Sequence, residues 1–402
     1  MSLKVILLIA VPMFVICCAI LLKYWDRFKK PPKQQRDHRK IEKMSETVIT
    51  IEKVPETVIT ICLDELSDNQ NKAEEKMAKP IFISADCWLC VFDLMPPRQL
   101  GFGISMISHR FDFYVDEHFK TRRWALEHIQ ILRKPEADGT VGMEIVNYAG
   151  KELQIPQNPL PKKVVGFKTI SIEYIDQNVI AFLHCFRPIF AAYKINLSIY
   201  AYNDRTFESI LGNIWPMITT NVCAIQLSAA IFRRFRHFVP SILDDCPSLR
   251  VLNAYNEGFF VAFPCDDSAV ASNGQAVAKW LFTPRPDGVP KVFKCWLHWD
   301  DVHLASKIEA FKREFTNASS PVNFIAIFRF PPTFTNSVVL FNLTNGFTHE
   351  QLTLTWMNDI CRFLLIRCPI VRDESKWAKW EKEAIGWNFR DQWNRIEICV
   401  LW

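Results

Sequence analysis

The sequence predicts a mixed α/β chain: a short three-helix module followed by an irregular α/β solenoid, with a transmembrane helix at the N-terminus. Three observations predict it. An uncharged apolar run lies near the start, apolar residues at helical spacing cluster on either side of Pro96 and Pro97, and six strand-like runs follow residue 160 at recurring intervals. The 402 residues are 49% hydrophobic and 23% charged, a globular balance that excludes a wholly disordered protein or a multi-span transporter. That length allows two or three folded units. Twelve glycines against 31 phenylalanines and 13 tryptophans point to large aromatic cores or a partner surface, not to linker sequence.

The first element is the apolar run from Val5 to Leu22, which spans about 27 Å as a helix, close to the thickness of a thin bilayer. Pro12 lies inside it, and membrane helices tolerate such an interruption. A membrane anchor over 1–22 is the expectation, with a cleaved signal peptide and a mis-assigned N-terminus as the alternatives. Bulky Leu21, Leu22, Tyr24 and Trp25 offer no small-residue cleavage site. From Lys23 to Lys43, nine Lys/Arg face Asp26, Asp37 and Glu42, a net +6 directly after the span. The positive-inside rule then places the folded region in the cytosol of a single-pass membrane protein. The 13 cysteines, odd in number and irregularly spaced, agree with a reducing compartment. Sequons at Asn196, Asn317 and Asn342 point the other way and are expected to be unoccupied.

Residues 23–79 read as a basic, mostly disordered tether containing a short imperfect duplication, Ser45–Ile51 and Pro55–Ile61. The remaining residues, 44–402, sum to about −2, so the folded part lacks the electrostatic footprint of a nucleic-acid binder.

The helical module occupies 80–125. Ser84 is placed to cap a helix through Cys87–Leu94, which Pro96 and Pro97 break. Leu100, Ile104, Ile107, Phe111 and Val115 then share one helical face, with His109-Arg110-Phe111 closing that run and Phe119–Trp124 forming a third short segment. The order Ile83-Ser84, Cys87, Leu89, Val91-Phe92, Pro96-Pro97, Leu100, Ile104, Ile107-Ser108, Arg110-Phe111 resembles the F-box, with Ile83-Ser84 in place of the usual Leu-Pro. The resemblance implies that Leu89, Val91, Phe92, Pro96, Pro97, Leu100, Ile104 and Ile107 bind a Skp1-like adaptor.

The solenoid is expected over 126–340. Its strand-like runs are 168–174, 194–200, 223–229, 248–255, 291–298 and 322–330. Centred on Ile170, Leu197, Gln226, Val251, Lys294 and Ala326, they step by 27, 29, 25, 43 and 32 residues, close to leucine-rich-repeat length at the start. Phe232–Leu243 supplies a helical half-unit, and a Pro- and small-residue-rich insertion at 258–290 accounts for the long step. A C-terminal α/β block, 341–402, ends in a strand-like alternation over 395–401. The whole arrangement from 80 to 400 is similar to the large, divergent F-box families of nematodes.

Candidate chemistry is sparse. Cys87-x-x-Cys90 has no second pair to complete a zinc site. His298 and His303, five apart, would diverge on a helix. Arg233-Arg234-Phe235-Arg236-His237 interleaves base and aromatic but reads as a solvated helix face. Trp377, Trp380, Ala384 and Trp387 share a helical face, as a core stripe or, less simply, a partner groove. No phosphate loop, nucleophile elbow or metal-binding signature stands out, so no catalytic residue, metal or cofactor is expected. The resemblance implies a non-catalytic substrate receptor of a Skp1–cullin–F-box ubiquitin ligase, taking an unknown protein substrate. The rival is a membrane-anchored interaction scaffold whose helices cap the solenoid.

Overall fold

A computed structural model describes residues 83–95, 97–135, 141–147, 160–201, 204–255, 260–296, 304–330, 338–357 and 361–400. The expected membrane anchor (Val5 to Leu22) and tether therefore lie outside the described residues. Among the described residues, no helix is long and apolar enough to cross a membrane.

The chain opens with α1 (Ala85–Phe92), then α2 (Pro97–Gln99), which continues through the helical turns Leu100–Ile104 and Ser105–Ile107, and α3 (His109–Thr121). Two strands and a return follow: β1 (Trp124–Pro135), β2 (Val141–Asn147) and β3 (Val164–Ile172). Helices α4 (Gln177–His184) and α5 (Arg187–Ala192) lead to β4 (Ile195–Ile199). Then come α6 (Asp204–Ser209), α7 (Trp215–Ile218), β5 (Val222–Leu227), α8 (Ala229–Phe238) and β6 (Val251–Ala254). Helix α9 (Asn273–Leu281), β7 (Lys291–Trp296), α10 (Leu304–Asn317) and β8 (Phe324–Arg329) continue the alternation. Three strands, β9 (Phe341–Asn345), β10 (Glu350–Trp356) and β11 (Arg362–Pro369), precede α11 (Glu374–Gly386) and β12 (Arg395–Ile398).

Polar caps explain where these helices begin. The side chains of Ser84, Ser108, Asp176, Ser228, Ser272 and Asp373 each accept the backbone N–H three residues on, satisfying a donor the helix cannot. Ser108 corrects one expectation. Its extended backbone (φ −163°, ψ 160°) ends one helical run and caps the next, so Ile104 and Phe111 lie on different helices. The expected third helical segment is likewise the end of α3, and Trp124 opens β1.

All twelve strands form one mixed sheet, ordered β2-β1-β3-β12-β4-β5-β6-β7-β8-β11-β10-β9. Each of the six expected strand runs overlaps a strand, from β3 to β8, and β4 to β8 lie side by side, parallel, in chain order. The sheet departs from a simple repeat at both ends. Antiparallel β1–β2 forms one edge and antiparallel β8–β11–β10–β9 the other. The region expected as a separate C-terminal block shares this sheet, and β12 inserts between β3 and β4, parallel to both.

Period-two alternation divides the parallel strands between two cores. One register row runs through Ile129, Ile170, Ile396, Leu197, Ile225, Leu252, Phe293 and Ala326, all buried in the main core beneath α4 to α10. The alternate residues Ala224, Val251, Val292, Ile325, Ile327 and Leu364 face the opposite side, where Trp377 and Ala384 of α11 cover them. The tryptophan stripe thus packs in a core. Fully burying one such large apolar side chain contributes about 1.5–3 kcal/mol.

Buried and half-buried charges hold the layers in place. Lys294 Nζ donates to the carbonyls of Ala384 (3.2 Å) and Trp387 (2.8 Å), fastening the C-terminus of α11 to the sheet. Arg367 makes two bonds to Glu350 Oε2, at 3.1 and 2.6 Å, with both side chains almost wholly buried. Glu350 Oε1 accepts Val322 N–H at 2.7 Å, so the pair also fixes the approach to β8.

Candidate functional site

The helical module carries the residues expected to bind an adaptor. Its sequence folds around five apolar side chains, Phe92, Leu100, Ile104, Phe111 and Val115, which make a core of their own. Trp88 packs edge-on against Phe111 with centroids 4.8 Å apart, and Phe92 meets His118 at 5.9 Å. His118 is buried, and burial lowers its pKa despite the opposing charge of Asp93, whose carboxylate is 3.9 Å away. Arg122 approaches the other Asp93 oxygen at 3.5 Å, tying the end of α3 to the end of α1. Phe119 meets Trp124 at 5.2 Å, joining the module to the first strand.

The expected adaptor residues divide by burial. Phe92, Leu100 and Ile104 are sealed within the module's own core. Leu89, Val91 and Pro97 are half-buried, and Pro96 lies outside the described residues. Ile107 is open, at 56% exposure. The structure adds three large apolar side chains that the sequence reading missed: Leu94 (80% exposed), Met106 (74%) and Phe113 (61%). Their signal was available but weak. Leu94 stands just past the end of α1, while Met106 and Phe113 fall off the apolar stripe that marks the core.

Other motifs resolve differently. Cys87 and Cys90 are both exposed free thiols on α1, and Ser84 Oγ donates to Cys87 Sγ at 3.3 Å. Among the described residues, no three His, Cys, Asp or Glu side chains converge as a metal site. His298 and His303 lie outside the described residues. In the basic run on α8, Phe232, Phe235 and Arg236 turn inward, Arg234 pairs with Asp204 at 3.8 Å, and Arg233 and His237 face solvent.

Comparison with protein-family models, with curated proteins and with solved structures gives no match to the chain.

Proposed function

We propose that the chain is an F-box-like substrate receptor of a Skp1–cullin–F-box ubiquitin ligase, with residues 80–125 engaging a Skp1-like adaptor. The observation that carries this reading is the module itself. It is a three-helix unit with, among the described residues, five buried apolar side chains, leaving Leu94, Met106, Ile107 and Phe113 in solvent. Exposed residues of this size are typical anchors of protein contacts. In this reading Phe92, Leu100 and Ile104 shape the module, and Ile107 with its exposed neighbours meets the adaptor.

The run β4 to β8, parallel and in chain order with helices between, supports a short, irregular leucine-rich-repeat-like array as the substrate-holding part. Such a receptor makes and breaks no bonds; it raises the effective concentration of substrate near the charged enzyme. The apolar run Val5 to Leu22 with its basic flank supports a membrane tether with the folded region in the cytosol.

A second reading rests on the Phe119–Trp124 contact: the module caps the end of the sheet, and the chain is a membrane-anchored scaffold with no role in ubiquitin transfer. Adaptor recovery separates the two. Full-length chain captured from cells should carry the adaptor, and Met106→Asp with Ile107→Asp should lower recovery about tenfold, the loss expected of a hot-spot anchor. Both side chains are exposed, so thermal unfolding should hardly change. Equal recovery with wild type and variant, or none with either, leaves the scaffold.

A further inference from the structure

The basic run on α8 borders a cleft of about 600 Å³ between α8, α10 and the segment leading into α9. That volume falls in the range of small-ligand sites. Among its described lining residues the charged side chains are Arg233 and Arg236 of α8 and Lys307 of α10, with the imidazole of His237 beside them. Among the described lining residues none is acidic. Arg233 and His237 stand four residues apart, one above the other on a single helix face. The positive end of α9 opens beside them at Asn273.

The wall is built before any ligand arrives. Arg236 is buried and donates from Nη1 to Ala271 O at 2.6 Å and from Nη2 to Ser268 O at 2.7 Å, fixing the loop on that side. Gly274 lets the same segment approach closely, since a Cβ there would collide with the carbonyl oxygen of Phe260 and crowd Ala262. The nearby Asp266 carboxylate is turned into its own loop, accepting Ser268 N–H and Oγ–H, both at 2.9 Å.

We infer that this cleft binds a phosphate monoester, carried either by a small molecule or by a phosphorylated side chain. A phosphate monoester near neutral pH carries about −1.5 to −2 charges on three acceptor oxygens, which suits a cleft lined by Arg233 and His237 of α8 and Lys307 of α10 better than a single carboxylate does. The site is independent of the adaptor-binding module.

The test uses the full-length chain and three probes in titration calorimetry at fixed ionic strength: phenyl phosphate, an O-phosphoserine tripeptide and its unphosphorylated twin. Saturable binding of both phosphorylated probes, and none of the twin, is expected. Arg233→Glu with His237→Glu should weaken binding at least about tenfold, the loss of one or two charge-assisted hydrogen bonds. Arg390→Glu, an exposed charge outside the cleft, should leave it unchanged. A phosphopeptide at least about tenfold tighter than phenyl phosphate would identify a phosphorylated polypeptide as the source, and equal affinities a small molecule; either keeps the inference. No saturable binding, equal binding of the twin, or wild-type affinity in the double variant overturns it. Adaptor recovery should be the same with and without these substitutions, so this result and that of the receptor reading can fail separately.

Discussion

Gly166 and Asn394, more than two hundred residues apart in sequence, are fitted to one another. A Cβ on residue 166 would stand 2.7 Å from Asn394 Oδ1, the atom that accepts the Phe167 N–H at 2.9 Å. Asn394 sits at φ 52°, in the left-handed region where asparagine is among the better-tolerated residues, and it launches β12. Gly166→Ala should therefore cost about 1–3 kcal/mol through overpacking. Asn394→Gly keeps the backbone and loses the bond, at about 1 kcal/mol. Urea unfolding of the double variant should show less than the sum of the two costs, because the second change removes the atom that the first one strikes.

The position of β12 makes its side chains costly to alter. Ile396 and Ile398 are buried in the main core between β3 and β4. Ile396→Asp should destabilise by more than about 4 kcal/mol, since it buries a carboxylate without a partner. Proteolysis should then release the β1–β3 segment first. A variant as protease-resistant as wild type would contradict the role given to this strand.

The Arg367–Glu350 pair predicts an asymmetry. Removing one partner, as in Glu350→Gln or Arg367→Met, strands a buried charge or its donors and should cost about 3–5 kcal/mol. Replacing both, with Glu350→Leu and Arg367→Met, should recover a large part of that loss, apart from the bonds to Val322 N–H and Ser320 O. Thermal unfolding of the three variants decides it.

Lys294 provides a pH signature. Burial pushes its pKa down to about 8 from an ordinary 10.5, with Arg362 adding a smaller push in the same direction. The folded chain therefore holds fewer protons than the unfolded chain between those values, and this lysine's contribution to stability rises with pH across that window. Two cysteines, one buried and one half-buried, oppose it. Cys246 and Cys265 are raised from 9 to about 12 and about 11, chiefly by burial, so their contribution falls as pH climbs past 9. The clean observable is a difference: wild type should gain stability relative to Lys294→Met between about pH 8 and 10.5. A gap that stays constant would contradict the assignment.

The sequons supply a test of orientation. Asn196 is buried and donates to Trp393 O at 2.8 Å, whereas Asn317 and Asn342 are exposed. A cytosolic fold should show no glycosidase-sensitive mass on full-length chain expressed in a secretory-competent cell. A shift that disappears in Asn317→Gln with Asn342→Gln would place the fold in a secretory compartment and overturn the proposed cytosolic orientation.

Local pattern carried the strands of the parallel array and several helix starts, and failed where partners are remote. The runs around Ile170, Leu197 and Ala326 were centred on residues that face the main core. Those around Gln226, Val251 and Lys294 were centred one position away, and a one-residue slip in a strand moves a side chain to the other face. The Leu100–Val115 stripe looked like one helix because Ser108, a capping residue, interrupts it without breaking the apolar spacing. Four of the stripe's five residues are buried in the module's core, while Ile107, on the stripe, and Leu94, Met106 and Phe113, off it, stay in solvent. The alternation over 395–401 announced a strand, but nothing in Arg395–Ile398 itself specifies that it should enter the sheet between β3 and β4.

That insertion orders events in time. Residues 395–398 must have left the ribosome before β3 and β4 acquire the ladder partners that face each other across the gap. The strands from β4 to β8 pair with near neighbours and can assemble early, whereas the sub-sheet bearing the three helices waits for a contact that closes a loop of more than two hundred residues. During that interval the edges of β3 and β4 are open, so this protein should lean on chaperones most heavily late in its synthesis.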